Sequence, residues 1–141
     1  MEQRSAWTGR RMAGLVSVRL PVVDRIGRPA GEKEFWVEPR HEAELRRWVE
    51  YVNRNGRRFL ALILGETVLG LAGAFLQPNW QGAFWLVVAC MVGLGATIFV
   101  YPFATPETNR MLGMRRARSL ARASGVLVLA MAAFLATQLP S

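Results

Sequence analysis

"LALILGETVLGLAGAF", residues 60–75, is an apolar run with a single carboxylate, Glu66, set inside it. No Lys, Arg or His lies within seven residues of Glu66 on either side. A run of this composition reads as part of a membrane-spanning helix, since a hydrocarbon core about 30 Å thick takes about 20 helical residues. An acidic residue at the centre of such a helix costs about 2.5 to 3.5 kcal/mol on insertion scales. Glu66 is therefore expected to face protein or water rather than lipid.

Working outward from this run, charge and hydropathy are segregated along the 141 residues. Residues 1–58 hold 13 of the 18 Lys and Arg and 8 of the 10 acids. From 59 to 104 the ionisable side chains are Glu66, Cys90 and Tyr101 alone, and beyond Arg122 there is no charge. Three stretches have the length and composition of spans: about 59–77, 82–103 and 120–139. This predicts an all-α membrane protein with a three-span domain over 57–141 and a basic loop at 104–119. No apolar run begins near Met1, so the first span is expected to direct insertion.

The arginines set the expected orientation. Arg57 and Arg58 abut the first span, and Arg110, Arg115, Arg116, Arg118 and Arg122 lie between the second and third, whereas "QPNWQG" and "TQLPS" carry no basic residue. Basic loops stay cytoplasmic, which predicts the N-terminus inside and the C-terminus outside. The 17 arginines against one lysine hint at a GC-rich bacterial genome, hence a bacterial cytoplasmic (inner) membrane. Trp80, Phe84 and Trp85 fit the outer interface, and Tyr101 and Phe103 the inner one.

Residues 1–40 are expected to form a cytoplasmic arm, either extended or a small hairpin. "LVSVRLPVVD" and "EFWVEP" are β-prone, and "RIGRPAGEK" between them supplies Gly and Pro for a loop. From His41 the period becomes helical. Leu45, Trp48, Val49 and Val52 recur at i, i+3, i+4, i+7, with Glu and Arg on the other faces. This predicts an amphipathic cytoplasmic helix over 41–56, ended or bent at Gly56, whose apolar face meets the membrane interface or a partner protein. In the second basic segment, Thr105, Pro106 and Glu107 predict a helix start. Arg115, Arg118 and Arg122 then share a face suited to anionic lipid headgroups, or serve with Arg57 and Arg58 simply to fix topology. Small residues at i, i+4 predict close helix contacts: Ala61 and Gly65, Gly70 and Ala74, the stripe Ala89, Gly93, Thr97, and Ala132 with Ala136.

Several chemistries lack their residues. His41, the one histidine, falls outside the spans, and no Cys–His cluster suits zinc. Met91 and Met131 have no partner pattern for haem, no phosphate loop follows a strand, and Ser119 and Ser124 have no base nearby in sequence. The expectation is no cofactor, no enzyme activity and no nucleic-acid partner. Glu66 lies eight residues inside Arg58, about 12 Å along the helix. Thr97 falls at a similar depth if the second span ends near Phe103. The pair predicts an intramembrane polar site, with Glu66 a neutral acid bonded to Thr97, a backbone carbonyl or a partner subunit.

A glutamate in the first span of a short chain, in "ALILGETVLG" (61–70), resembles the small multidrug resistance transporters. That resemblance implies a proton-coupled carrier, although the surrounding motif differs and a fourth span is missing. The reading favoured by the residues themselves is a small accessory subunit. It would dock with other membrane subunits of a respiratory, photosynthetic or other energy-converting complex, in contact with anionic lipids. The alternative is a proton- or cation-coupled carrier acting as a homo-oligomer through Glu66.

Overall fold

The computed structural model describes residues 3–24, 28–77, 80 and 82–138. Two two-residue strands, β1 (Gln3–Arg4) and β2 (Arg11–Met12), pair antiparallel, followed by a longer antiparallel pair, β3 (Val16–Val23) and β4 (Pro29–Val37). A 3-10 turn (Pro39–His41) leads into helices α1 (Glu42–Leu76), α2 (Gly82–Val100), α3 (Pro106–Leu112) and α4 (Met114–Ala136). The chain is mostly helical, and α1, α2 and α4 are long and apolar enough to cross a membrane. It divides into two compact units, one of Met1–Arg57 with Phe103–Leu120 and one of Arg58–Pro102 with Ala121–Ser141.

The first unit contains a hydrophobic core that the segregated charge does not announce. Along β3, Val18 and Leu20 are buried while Ser17, Arg19 and Pro21 are exposed, the period-2 alternation of a half-covered strand. Phe35 and Val37 supply the matching face of β4. Against them pack Trp7 and the apolar face of α1, with Leu45 fully buried and Trp48 and Val49 nearly so. Two strands alone are marginal in water, so this helix face is what makes the hairpin a stable element. The expected membrane or partner face of Leu45, Trp48 and Val49 is thus occupied by the chain's own sheet. Val52 packs at the edge of the same cluster.

Asn53 ties helix to sheet. The ladder is irregular between Pro21 and Val23, where proline has no N–H to give. The Asn53 amide donates to the Pro21 carbonyl at 2.8 Å, and its oxygen accepts from the Val23 N–H at 3.3 Å. The segment 29–33, expected within the loop, instead belongs to β4, because pairing continues to Val23↔Pro29. The rest of the expected loop, 25–27, lies outside the described residues.

The loop of residues 5–9 caps the start of α4. Gly113, at φ +78°, separates α3 from α4, so the basic segment is two helices rather than one continuous run. The first two N–H groups of α4 have no partner within the helix. Met114 N–H donates to the Ala6 carbonyl at 2.9 Å and Arg115 N–H to the Trp7 carbonyl at 3.0 Å. Gly9 and Gly113 meet backbone to backbone, leaving no room for a Cβ on either. Beneath this loop the buried Glu38 carboxylate accepts from Ser5 Oγ at 2.6 Å and Thr8 Oγ1 at 2.5 Å. Burial works to raise the Glu38 carboxyl, but these two hydroxyls, a backbone hydrogen bond and the charge of His41 together hold it below the ordinary carboxylate range. At α3, Thr105 caps the Thr108 N–H with Pro106 at the first turn, as the sequence predicts.

Gly56 does not end the first helix. It keeps its N–H, so the ladder runs through it at a propensity cost of about 1 kcal/mol. Likewise α4 begins at Met114, before the predicted start near Leu120, and α2 ends at Val100 rather than Phe103. The expected end of the third span at Leu139 lies outside the described residues.

In the second unit the helices meet at glycines. A Cβ on Gly95 would stand 3.0 Å from the Gly125 carbonyl, and one on Gly125 would stand 2.9 Å from both the Gly95 carbonyl and the Phe99 nitrogen. The backbones of α2 and α4 therefore touch at this crossing, as small residues allow. On α1, Gly73 lies against Ala83 and Val87, and Gly70 against Cys90. Gly65 has nothing within 4 Å of where its Cβ would be. Replacing Gly125 with Ala should therefore part the α2–α4 crossing and destabilise the detergent-solubilised protein by about 1 to 3 kcal/mol. Gly65→Ala should be neutral or slightly stabilising in the isolated chain. Thermal unfolding of the two variants in the same micelles checks this, and an equal loss from both would contradict the crossing.

Candidate functional site

Helix α1 carries Glu66 in the apolar half of its length, and α2 presents Gly93 and Thr97 one turn apart. The structure brings the acid to both. Thr97 Oγ1 donates to Glu66 Oε1 at 3.0 Å, and Thr97 is only 6% exposed, so water does not compete for its hydroxyl. Gly93 makes the approach possible: a Cβ there would stand 2.8 Å from Glu66 Oε1 and 3.3 Å from its carboxyl carbon. The missing side chain of Gly93 is the notch that receives the acid. The neighbouring Thr67 takes no part, since its hydroxyl donates to the Ile63 carbonyl of its own helix at 2.7 Å.

The second carboxyl oxygen is different. Glu66 Oε2 is covered and has no hydrogen-bond partner among the described residues. A covered oxygen without a partner is costly in an apolar setting. Beside it runs a groove of about 210 Å³ lined by Glu66, Thr67, Gly70, Val87, Cys90 and Met91, among others. The chemistry open to this site is a hydrogen bond across two helices, or the gain and loss of one proton. Among the described residues no group of three or more His, Cys, Asp or Glu is placed to hold a metal.

The arginines separate into different roles. Arg57 and Arg58 are exposed, as are Arg115 and Arg122. Arg118 is not a free member of a lipid-facing stripe: its guanidinium lies over the Trp48 ring, 4.1 Å from the centroid, a cation–π contact. Trp48 also stacks on Tyr51 and meets Phe103 edge-on. Phe103, expected at the inner interface, is thus partly taken up by the core, while Tyr101 meets Phe59 edge-on. Trp80 and Trp85 are exposed.

Three features escaped the sequence reading. The Ser5–Thr8–Glu38 cluster joins residues 30 or more apart, and nothing local marks it. Gly125 lies outside the small-residue pairs singled out above, and its pairing with Gly95 had no mark in the sequence. Their visible signal was glycine inside apolar helix, which costs stability unless it serves packing. The arginines of the arm gave no sign of where they converge. Comparison with protein families, with curated proteins and with solved structures finds no match, so the likeness of residues 61–70 to small multidrug resistance transporters remains local.

Glu66→Gln keeps the acceptor for Thr97 and should leave thermal stability within about 0.5 kcal/mol of the parent. Glu66→Ala strands the Thr97 hydroxyl and opens a space, and should cost about 1 to 3 kcal/mol. Gly93→Ala should push the carboxyl off Thr97 and resemble Glu66→Ala more than Glu66→Gln. Unfolding of the three purified variants in detergent checks the order. Equal stability of Glu66→Ala and Glu66→Gln would remove the bond from the account.

Proposed function

We propose that the chain is a small accessory subunit of a larger bacterial membrane complex, bringing no cofactor and no catalytic group of its own. The observation that carries this reading is the uncovered side of α1. Ala61, Gly65, Val68 and Ala72 recur along one stripe, all exposed, with nothing above Gly65. Small residues at this spacing let a second helix approach closely, and the stripe lies away from the Gly70, Gly73 and Glu66 positions that serve the chain's own packing. The engagement of Glu66 by Thr97 and Gly93 supports the same role, because it uses the acid to hold two helices together. In this reading the N-terminus is cytoplasmic, the C-terminus is outside, and the unit containing Leu45 and Trp48 is a cytoplasmic fold of its own. Its partners are the complex's other subunits and anionic lipid.

A second reading has a specific observation in its favour. The unpartnered Oε2 beside an apolar groove is the arrangement a proton- or cation-coupled carrier would use, with the chain acting as a homo-oligomer.

Mild-detergent extraction from the native membrane, followed by sizing and mass spectrometry, separates the two. The accessory reading predicts co-migration with unrelated membrane subunits. It also predicts that Gly65→Leu releases the chain from them while the purified variant keeps its own unfolding temperature. A complex built of this chain alone, with proton-coupled uptake abolished by Glu66→Gln, would establish the carrier instead.

A further inference from the structure

Within the first unit, a cavity of about 380 Å³ is lined by Thr8, Arg10, Arg40, His41, Arg115, Arg116 and Ser119. Its residues come from the capping loop, the 3-10 turn and the first turns of α4, so three separate segments bring four guanidinium groups to one space. Several carboxylates of this unit are engaged with other groups. Glu42 pairs with Arg46 at 2.8 Å and Glu50 with Arg54 at 3.1 Å. Glu34 accepts from Ser17, and Glu38 from Ser5 and Thr8. Two of these acids touch the cavity wall through other residues: Glu38 through Thr8, and Glu44, 2.9 Å from His41 Nδ1. Among the described residues, none of the side chains of Arg10, Arg40, Arg115 and Arg116 has an acidic partner.

Four guanidinium groups without an ion-pair partner around one cavity raise each other's energy, and the arrangement persists at lowest cost when an anion fills it. Guanidinium is the donor suited to phosphate, because its fork gives paired N–H bonds to two oxygens. The hydroxyl of Thr8 is already donating to Glu38, which leaves the arginines as the donors. The volume falls in the range of small-ligand sites and exceeds a bare ion's need, leaving room for the substituent of an ester. We propose that this cavity is a binding site for a doubly charged phosphate group, a phosphomonoester or inorganic phosphate. The group is supplied either by a small soluble molecule or by a lipid headgroup such as phosphatidic acid. The proposal is independent of the accessory role and of Glu66.

The test uses the full chain and the variant Arg40→Gln/Arg116→Gln, whose side chains are exposed and make no bond that folding needs. Arg19→Gln/Arg47→Gln removes the same charge away from the cavity and serves as the control. One arm titrates inorganic phosphate into protein in neutral detergent and reads calorimetric binding. The other places the protein in nanodiscs of phosphatidylcholine with phosphatidic acid, or with phosphatidylglycerol at matched surface charge, and counts retained lipid by native mass spectrometry. Saturable phosphate binding that falls about tenfold or more in the cavity variant, but not in the control, supports a soluble source. Selective retention of phosphatidic acid, lost in the cavity variant alone, supports a lipid source. Absence of saturable binding in both arms overturns the proposal, as does equal binding by the cavity variant or an equal loss in the control.

Discussion

A hydrocarbon layer has no hydrogen-bond partner to offer and little capacity to hold charge, so a chain that crosses it must satisfy its polar groups internally. The second unit follows from that constraint. Its backbone is helical, and its glycines are placed so that helices close on one another: Gly95 on Gly125, and Gly73 on Ala83. Its one acid reaches a hydroxyl across α1 and α2. Interhelical hydrogen bonds in membranes contribute only about 0.6 kcal/mol on average. The bond to Thr97 matters less for its own strength than because it gives Glu66 a partner where otherwise it would have none.

The first unit is organised around a core of its own. Its hairpin is too small to stand alone, and the first turns of α1 complete it by covering Val18, Leu20, Phe35 and Val37. Most polar groups that this burial would strand are matched, the buried Trp7 Nε1 being an exception among the described residues. Asn53 serves both backbone groups at the ladder irregularity, Ser5 and Thr8 serve Glu38, and the carbonyls of Ala6 and Trp7 serve the start of α4. The same capping loop brings Thr8 and Arg10 beside Arg115 and Arg116. Local hydrogen bonding thereby assembles a basic cavity from segments about 100 residues apart in sequence.

Much of this was legible in the residues. Apolar runs of sufficient length identified the three long helices, and the alternation around Val18 and Leu20 pointed to a strand. Counting depth along two helices, a quantity that helical rise makes nearly independent of tertiary detail, offered Thr97 as one of three partners for Glu66, and it is the one seen. What was not legible depended on which surface faced which. Leu45, Trp48 and Val49 fall in one buried cluster, but periodicity cannot say whether a face meets lipid, a partner or the chain's own sheet. Arg118 read as one of a row until Trp48 was found beneath it. Gly56 carried the ordinary signal of a helix end, yet helix on both sides ran through it.

The most direct test is which side of the membrane the arginine-bearing segments and the C-terminal end of α4 occupy. With Cys90 replaced by Ala, single cysteines at Ala30 and at Gln138, both exposed, can be labelled with a membrane-impermeant maleimide on sealed cells. Three crossings with a cytoplasmic N-terminus predict that Gln138→Cys labels in intact cells and Ala30→Cys only after permeabilisation. Labelling of both from the same side would contradict three crossings, and the reversed pattern would contradict the orientation set by the arginines.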